Sequence, residues 1–155
     1  MKNLLLKACA STLTVVSVAA MPQNVKSATI SPAIVESFAS MPTYNGEDLE
    51  LTIDNNGYHF RLWSPMAEEV RISFYNDGIG GKAFAHAAMS PNAATGVWSL
   101  DTTEQLMDKF YTFRIKYQGR WLDETPGVWA KAVGVNGKRA AIIDFAKTNP
   151  AGWDT

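Results

Sequence analysis

The chain has 155 residues, 46% apolar and 19% charged, which is enough for one globular domain with a short extension and too few for two separate cores. Its formal net charge is −1, with no basic stripe and no run of like charges, which argues against nucleic acid and acidic lipid as partners. A neutral partner fits this balance best.

Residues 1–20 have the pattern of a signal peptide, with Lys2 and Lys7 before a small or apolar stretch over residues 8–20. We expect cleavage after Ala20 and export to the periplasm, the cell surface or the medium, without membrane insertion afterwards. A transmembrane anchor needs about 20 apolar residues, more than this stretch supplies. A lipoprotein signal on Cys9 is the weaker alternative, because the apolar stretch follows the cysteine instead of preceding it.

The sequence after the predicted cleavage site contains no cysteine, so it has neither a disulfide nor a cysteine metal site. It carries 12 Lys and Arg against 15 Asp and Glu, a net charge of −3. Residues 21–43 hold three prolines, Pro22, Pro32 and Pro42, among small polar residues, and this composition predicts a linker or lead-in. We place the folded module at residues 44–148 and the start of a connection to a further domain at 149–155.

From Leu49 onward the chain reads as short strands separated by turn residues such as Asn55-Asn56-Gly57 and Gln118-Gly119. Three segments alternate apolar and polar residues with the period of two expected of a half-buried strand. Their apolar members are Tyr58, Phe60 and Leu62; Val70, Ile72 and Phe74; and Tyr111, Phe113, Ile115 and Tyr117. A last, more fully apolar strand is expected over residues 141–145.

Only residues 102–109 have a composition that allows a short helix. Many short strands with closely spaced turns predict an all-β protein, an immunoglobulin-like β-sandwich of the early set type. The pattern by itself leaves a small barrel open.

Few residues suggest catalysis. His59 and His86 have no second His or Cys at ligand spacing, and we interpret both as structural. Gly80-Gly81-Lys82 lacks the first Gly and the final Ser or Thr of a phosphate loop. Asp123-Glu124 and Glu47-Asp48 are adjacent carboxylates, and neighbours on a strand point to opposite faces. We therefore expect no catalytic residue, metal or cofactor in this chain.

The five tryptophans are more informative, because sugars stack flat C–H patches on aromatic rings. Trp121 follows the Gln118-Gly119-Arg120 turn, and pattern alone supports an exposed platform and a core position equally. Trp63, Trp98 and Trp129 lie in apolar stretches and are expected in the core. Trp153, near the end of the chain, is expected to be exposed.

Several short motifs, in this order and spacing, resemble the N-terminal part of type I pullulanases, and most closely those of Bacteroides-like bacteria. They are Tyr44-Asn45-Gly46-Glu47-Asp48-Leu49, Phe60-Arg61-Leu62-Trp63-Ser64-Pro65-Met66-Ala67, Gly96-Val97-Trp98, Phe110-Tyr111-Thr112-Phe113, Glu124-Thr125-Pro126 with Ala130-Lys131-Ala132, Asn136-Gly137-Lys138-Arg139, and the Asn149–Trp153 tail. The resemblance implies a family 48 carbohydrate-binding module that precedes an amylase-type (β/α)8 barrel of glycoside hydrolase family 13. In that family the barrel supplies the Asp and Glu that cut α-1,6 branches in pullulan, starch and glycogen.

The module is also similar to the glycogen-binding domain of the AMP-activated kinase β subunit, in which a Gly-x-Trp turn carries a stacking Trp. Gly119-Arg120-Trp121 matches that turn, which favours Trp121 as a sugar platform. Thr112, Asn136 and Lys138 are the expected hydrogen-bonding neighbours. The second platform Trp is missing from residues 74–78, and Thr112 stands where the kinase module has a Lys, so weak binding is expected. The family's Asp-Pro-Tyr is Gly127-Val128-Trp129 here.

We therefore predict a non-catalytic module that binds α-glucan, with the catalytic barrel of the same enzyme as its second partner. The main alternative is a structural module that packs on that barrel without binding sugar. An unrelated immunoglobulin-like adhesion domain is a third interpretation, against which the enzyme motifs argue.

Overall fold

A computed structural model describes residues 39–150 and 152–153. The predicted signal peptide and residues 21–38 of the predicted linker lie outside the described residues. No helix in the described part is long and apolar enough to cross a membrane.

The described residues form two antiparallel sheets, which confirms the predicted all-β, immunoglobulin-like sandwich. The first sheet has the order β1-β2-β6-β5; in the second, β4-β3-β7 is extended by β8 and β9, which pair with opposite ends of β7. The strands are β1 (Glu50–Asp54), β2 (Gly57–Trp63), β3 (Glu69–Tyr75), β4 (Ala85–Ala88), β5 (Ser90–Asn92), β6 (Val97–Thr102), β7 (Phe110–Tyr117), β8 (Arg120–Trp121) and β9 (Ala140–Ala141). Two 3-10 helices, Val135–Gly137 and Phe145–Lys147, flank β9.

The core lies between the inner faces of the two sheets and is built by the predicted alternation. Phe60 of the first sheet is fully buried, and its ring contacts Phe74 at 5.5 Å and Tyr111 at 5.1 Å between centroids, both edge to face. Phe74 and Tyr111 belong to the second sheet, so these contacts join the two layers. Edge-to-face packing is the favourable arrangement for aromatic quadrupoles.

The predicted helix over residues 102–109 is wrong. Thr102 ends β6, and the segment that follows is a loop whose Leu106 is buried in the core. The Asp108 backbone has φ 60°, and its N–H donates to the Ile142 carbonyl oxygen at 3.0 Å. Burial of Leu106 and this long-range bond therefore override the weak local helix propensity.

Two of the three tryptophans expected in the core are exposed, Trp63 by 41% and Trp129 by 65%. Trp63 belongs to the outward set of β2, with His59 and Arg61, so the strand alternation itself turns it outward. Trp129 lies in a loop beyond the sheets. Trp98 is buried as predicted, and its indole N–H donates to the Ser64 carbonyl oxygen at 3.0 Å. Trp153 is exposed, as predicted.

Candidate functional site

Trp121 is positioned by a two-residue hairpin between β7 and β8. Gln118 and Gly119 both have left-handed backbones, φ 49° and 71°, as a type I′ turn requires. The Glu68 carboxylate accepts the Gly119 N–H at 3.1 Å and holds the turn against the end of β3. The resulting register places Trp121 opposite Lys116.

Trp121 is half-buried on the outer face of the second sheet, away from the core. The Arg71 guanidinium carbon lies 4.5 Å from the centroid of its ring, and that of Arg114 lies 5.8 Å away. Arg71 and Arg114 are directly paired across β3 and β7, so the indole reaches across β7 toward β3. Both arginines are within cation–π range. A sugar stacked on this ring uses the ring face opposite Arg71 or displaces Arg71.

The charges beside Trp121 are partly compensated. Arg71 contacts a single oxygen of Glu69, Oε1, through both Nε at 2.8 Å and Nη2 at 2.7 Å. Arg114 donates from Nε to the Leu122 carbonyl oxygen at 3.2 Å, and within the described residues no carboxylate lies within 4 Å of its guanidinium. The site therefore offers donors for sugar hydroxyls beside an aromatic surface.

Thr112 lies under this outer face, only 1% exposed. It pairs with Ser73 across β7 and β3, and the next outward residue of β3, Tyr75, is buried as well. Arg139 covers the Tyr75 ring with its guanidinium carbon 3.5 Å from the centroid, and the Tyr75 hydroxyl donates to Glu124 at 2.5 Å. Segments distant in sequence thus bury residues that alternation turns outward, and a ligand on this surface has no access to the Thr112 hydroxyl.

Asn136 and Lys138 are exposed in and just after the 3-10 helix Val135–Gly137, where Asn136 has φ 57°. This turn lies at the far end of the same face, where Arg139 donates to the Asp77 carbonyl oxygen at 2.5 Å. Arg71 and Tyr75 are four residues apart on β3, which corresponds to about 14 Å along the strand. The structure therefore brings Asn136 and Lys138 together but not next to Trp121, so a ligand that touches both ends must be an oligosaccharide.

Sequence reasoning missed Arg71 and Arg114 as neighbours of Trp121. Both are outward members of strands that the alternation identifies. The pairing of β3 with β7 and of β7 with β8 brings Arg71, Arg114 and Trp121 together, and the sequence does not show this pairing.

The two histidines have structural surroundings, as predicted. The His59 ring bridges Asp101 at 2.8 Å from Nδ1 and Asp54 at 3.0 Å from Nε2, and these two carboxylates raise the pKa of His59. Arg61 holds Asp101 at 2.7 Å. The His86 Nδ1 atom lies 2.9 Å from the Ser73 hydroxyl. Over the described ranges, no cluster of three or more His, Cys, Asp or Glu side chains is placed to hold a metal ion.

Residues 45–134 match the family model of carbohydrate-binding module 48, the isoamylase N-terminal domain. The chain belongs to this family. Solved pullulanase structures are similar to this chain. The structure of pullulanase from Paenibacillus barengoltzii, in complex with maltohexaose and α-cyclodextrin, is 36% identical with a TM-score of 0.70 over 76% of this chain and 18% of that one. Pullulanase from Bacillus acidopullulyticus is 28% identical with a TM-score of 0.67, covering 74% and 14%.

Two curated relatives, from Klebsiella aerogenes and Klebsiella pneumoniae, are pullulanases too. That of Klebsiella aerogenes is 26% identical over 109 residues, 66% of this chain and 10% of the relative. These findings confirm the resemblance to the N-terminal module of a pullulanase, while the Bacteroides-like origin stays a prediction. The chain is thus a member of the module 48 family and spans only 10–18% of the length of the pullulanases to which it is similar. It holds no catalytic barrel, since a (β/α)8 barrel takes about 250 residues, more than the whole chain.

Proposed function

We propose that this module 48 chain binds α-glucan, such as starch, glycogen or pullulan, for a pullulanase-like enzyme that hydrolyses α-1,6 branches. The observation that supports this most directly is Trp121, held on the outer face of the second sheet by a tight hairpin and bordered by Arg71 and Arg114. An aromatic surface next to fixed hydrogen-bond donors suits a neutral, hydroxyl-rich ligand.

Binding by this site is expected to be weak. Thr112 is inaccessible, and Asn136 and Lys138 lie at the other end of the face, so a single aromatic ring carries the contact. The 74–78 stretch, where the kinase module has its second stacking Trp, contains none. The affinity of the enzyme for long glucans would then depend on several weak contacts acting together.

The test is a titration of the chain without residues 1–20 with maltoheptaose and with a branched glucosyl-maltoheptaose, followed by tryptophan fluorescence. Saturable quenching is expected, and Trp121→Ala should weaken binding by at least about tenfold, the loss of roughly 1.4 kcal/mol. Trp63→Ala is the matched control, because Trp63 is an exposed strand tryptophan on the outer face of the other sheet. Equal loss in both variants, or unchanged binding in Trp121→Ala, would contradict the assignment.

A second candidate function is that of a structural module that packs on the catalytic barrel. It is favoured by large apolar side chains that are exposed on one edge and along the C-terminal segment: Val128 by 90%, Trp153 by 71%, Trp129 by 65% and Phe145 by 47%. A pocket with a volume of about 280 Å³ lies on the same edge, and its lining includes Leu51, Ile53, Ile143 and Phe145. Contiguous exposed apolar surface marks contact with another protein unit.

The structural candidate predicts that the isolated chain self-associates. Sedimentation velocity over a range of concentrations measures this directly. A monodisperse monomer would count against a barrel-covering surface and leave glucan binding as the better account.

Export is also a proposal, supported by the pattern of residues 1–20. Cell fractionation with N-terminal sequencing of the recovered protein tests it. A mature N-terminus at Met21 outside the cytoplasm is the expected result, whereas a cytoplasmic protein that retains residues 1–20 would contradict it.

A further inference from the structure

Glu50, the first residue of β1, combines a buried carboxyl group with an unusual backbone. It is only 1% exposed and has φ 71°, a conformation that favours glycine. A charged residue in such a position has a cost in both strain and desolvation, and residues of this kind cluster at functional or switching sites.

The Glu50 carboxyl group lies directly beneath the loop of residues 127–129. Oε1 accepts the Trp129 N–H at 3.3 Å, the Val128 N–H also donates to the carboxyl, and the Tyr111 hydroxyl faces Oε2 at 3.5 Å. A Cβ atom on Gly127 would lie 2.3 Å from both carboxyl oxygens. Glycine at position 127 therefore leaves room for the carboxyl group that reaches the loop from β1.

The loop is anchored to the sheets on both sides of this contact. Before it, Thr125 exchanges two backbone hydrogen bonds with Phe113, of 2.7 and 2.9 Å. After it, the Ala132 carbonyl oxygen accepts the Ala141 N–H at 2.9 Å. Between these anchors Val128 and Trp129 are already 90% and 65% exposed, so opening of the loop would uncover little more of their apolar surface. The Gly127 N–H also donates to the Thr125 hydroxyl at 3.2 Å, and Ala130 packs against the core. Between these two points, the contacts with Glu50 are the hydrogen bonds that hold the Val128 and Trp129 amides.

The surroundings of Glu50 disfavour its charge. Burial raises the pKa of Glu50 to about 7, although the N–H groups of residues 128 and 129 and the Tyr111 hydroxyl act in the opposite direction. Tyr111, on β7, stays protonated, since burial and the nearby carboxyl raise its pKa. Arg61 pairs with Glu50 across β1 and β2, but its guanidinium contacts Asp101 and the Phe60 carbonyl oxygen. Within the described part, no cation lies within 4 Å of the Glu50 carboxyl group.

We propose that Glu50 is a proton-operated latch for the Val128–Trp129 loop, closed while its carboxyl group is neutral and released when the group ionises. In the closed state an ionised carboxylate is buried without a counter-ion, whereas in the open state water solvates it. Because the closed state binds the proton more tightly, linkage requires deprotonation to favour opening. The latch thus sets how freely the Val128–Trp129 loop moves, while its two apolar side chains are exposed in either state.

Amide hydrogen exchange, followed by NMR on the full chain from pH 5.5 to 8.5, tests the latch. After correction for the intrinsic rate, the opening equilibrium of the Val128 and Trp129 amides should rise roughly thirtyfold and level off above pH 7. Glu50→Gln is the matched variant, a neutral isostere that should keep these two amides protected across the whole range. The Met89 amide, which donates to the Val70 carbonyl oxygen of β3 at 2.9 Å, is the internal reference for global unfolding.

An equal rise of exchange in Glu50→Gln, or no rise in the wild-type chain, would overturn the proposal. If Glu50→Gln does not fold, a carbon-13 titration of the wild-type Glu50 carboxyl decides the question. A midpoint near neutrality that coincides with the change in the Val128 and Trp129 amides supports the latch. A midpoint at the ordinary pH of an exposed glutamate overturns it.

Discussion

The guanidinium group of Arg71 lies 4.5 Å from the centre of the Trp121 ring, although β7 separates their strands in the sheet. Arg71 is itself held by Glu69, which contacts both its Nε and Nη2 atoms. The candidate platform is therefore oriented by a neighbour that is fixed in turn by a second residue. Such pre-organisation lowers the entropy lost when a ligand stacks on the ring.

Removal of this support should weaken glucan binding without unfolding the module. Arg71→Ala is expected to lower affinity for maltoheptaose about fivefold, which corresponds to a cation–π contact of about 1 kcal/mol. Isothermal titration calorimetry measures the affinity, and thermal unfolding should show little change because the Arg71 side chain is 52% exposed. Tighter binding by Arg71→Ala would contradict the supporting role and show that Arg71 blocks the ring.

The fit between Gly127 and Glu50 predicts energetic coupling between the two positions. Gly127→Ala should lower the free energy of unfolding by about 2–4 kcal/mol, because it combines a strained backbone at φ 95° with a clash against the Glu50 carboxyl group. In a Glu50→Ala background the clash is gone, and the same substitution should cost only about 1–2 kcal/mol.

Urea unfolding of the wild-type chain, the two single variants and the double variant measures this coupling. Gly119→Ala is the matched control, since Gly119 also has a positive φ, of 71°, but nothing lies within 4 Å of its would-be Cβ. Gly119→Ala should lower the free energy of unfolding only through the strain of its backbone, and by the same amount in the wild-type and Glu50→Ala chains. Additive effects of Gly127→Ala and Glu50→Ala would show that the two positions do not interact.

The His59 bridge predicts a pH-dependent contribution to stability on the first sheet. Its pKa is raised by Asp54 and Asp101, so the contribution is fully present below the pKa of an unfolded histidine, about 6.5, and is lost as pH rises through the folded value. His59→Gln should therefore destabilise the chain at pH 5.5, by up to about 1 kcal/mol, and much less at pH 8.5.

Urea unfolding of His59→Gln at the two pH values checks this prediction. Repeating it in an Asp54→Asn/Asp101→Asn background should remove the pH-dependent part. A loss of stability that is the same at both pH values would mean that the histidine acts through packing alone.

The sequence predicted the layers of this fold better than their edges. The alternation around Phe60, Val70 and Tyr111 identified the inward residues of three strands, because burial of one face requires a period of two. The same alternation turned Thr112 and Tyr75 outward, but both are buried, and Arg139, which covers the Tyr75 ring, meets it only in the folded chain. The predicted helix over residues 102–109 failed for a similar reason, since a long-range contact of Leu106 decided its conformation.

The candidate site was predictable in part. The Gln118-Gly119 turn is a local signal that predicted Trp121 to lie just after a tight turn, and the structure has it there, in β8. Arg71 and Arg114 were not predictable as its neighbours, because the local pattern of residues does not determine which residues of adjacent strands pair. Glu50 gave no signal at all: neither its left-handed backbone nor its contact with residues 127–129 can be inferred from residue type.

The most direct test of glucan binding is a nitrogen-15 NMR titration of the chain with maltoheptaose. The account predicts saturable shifts of the Trp121 indole N–H and of the Arg71 and Arg114 amides, with the Trp63 indole unmoved. No shift at millimolar sugar, or shifts confined to the edge that carries Val128 and Trp129, would contradict a sugar-binding role for the outer face of the second sheet.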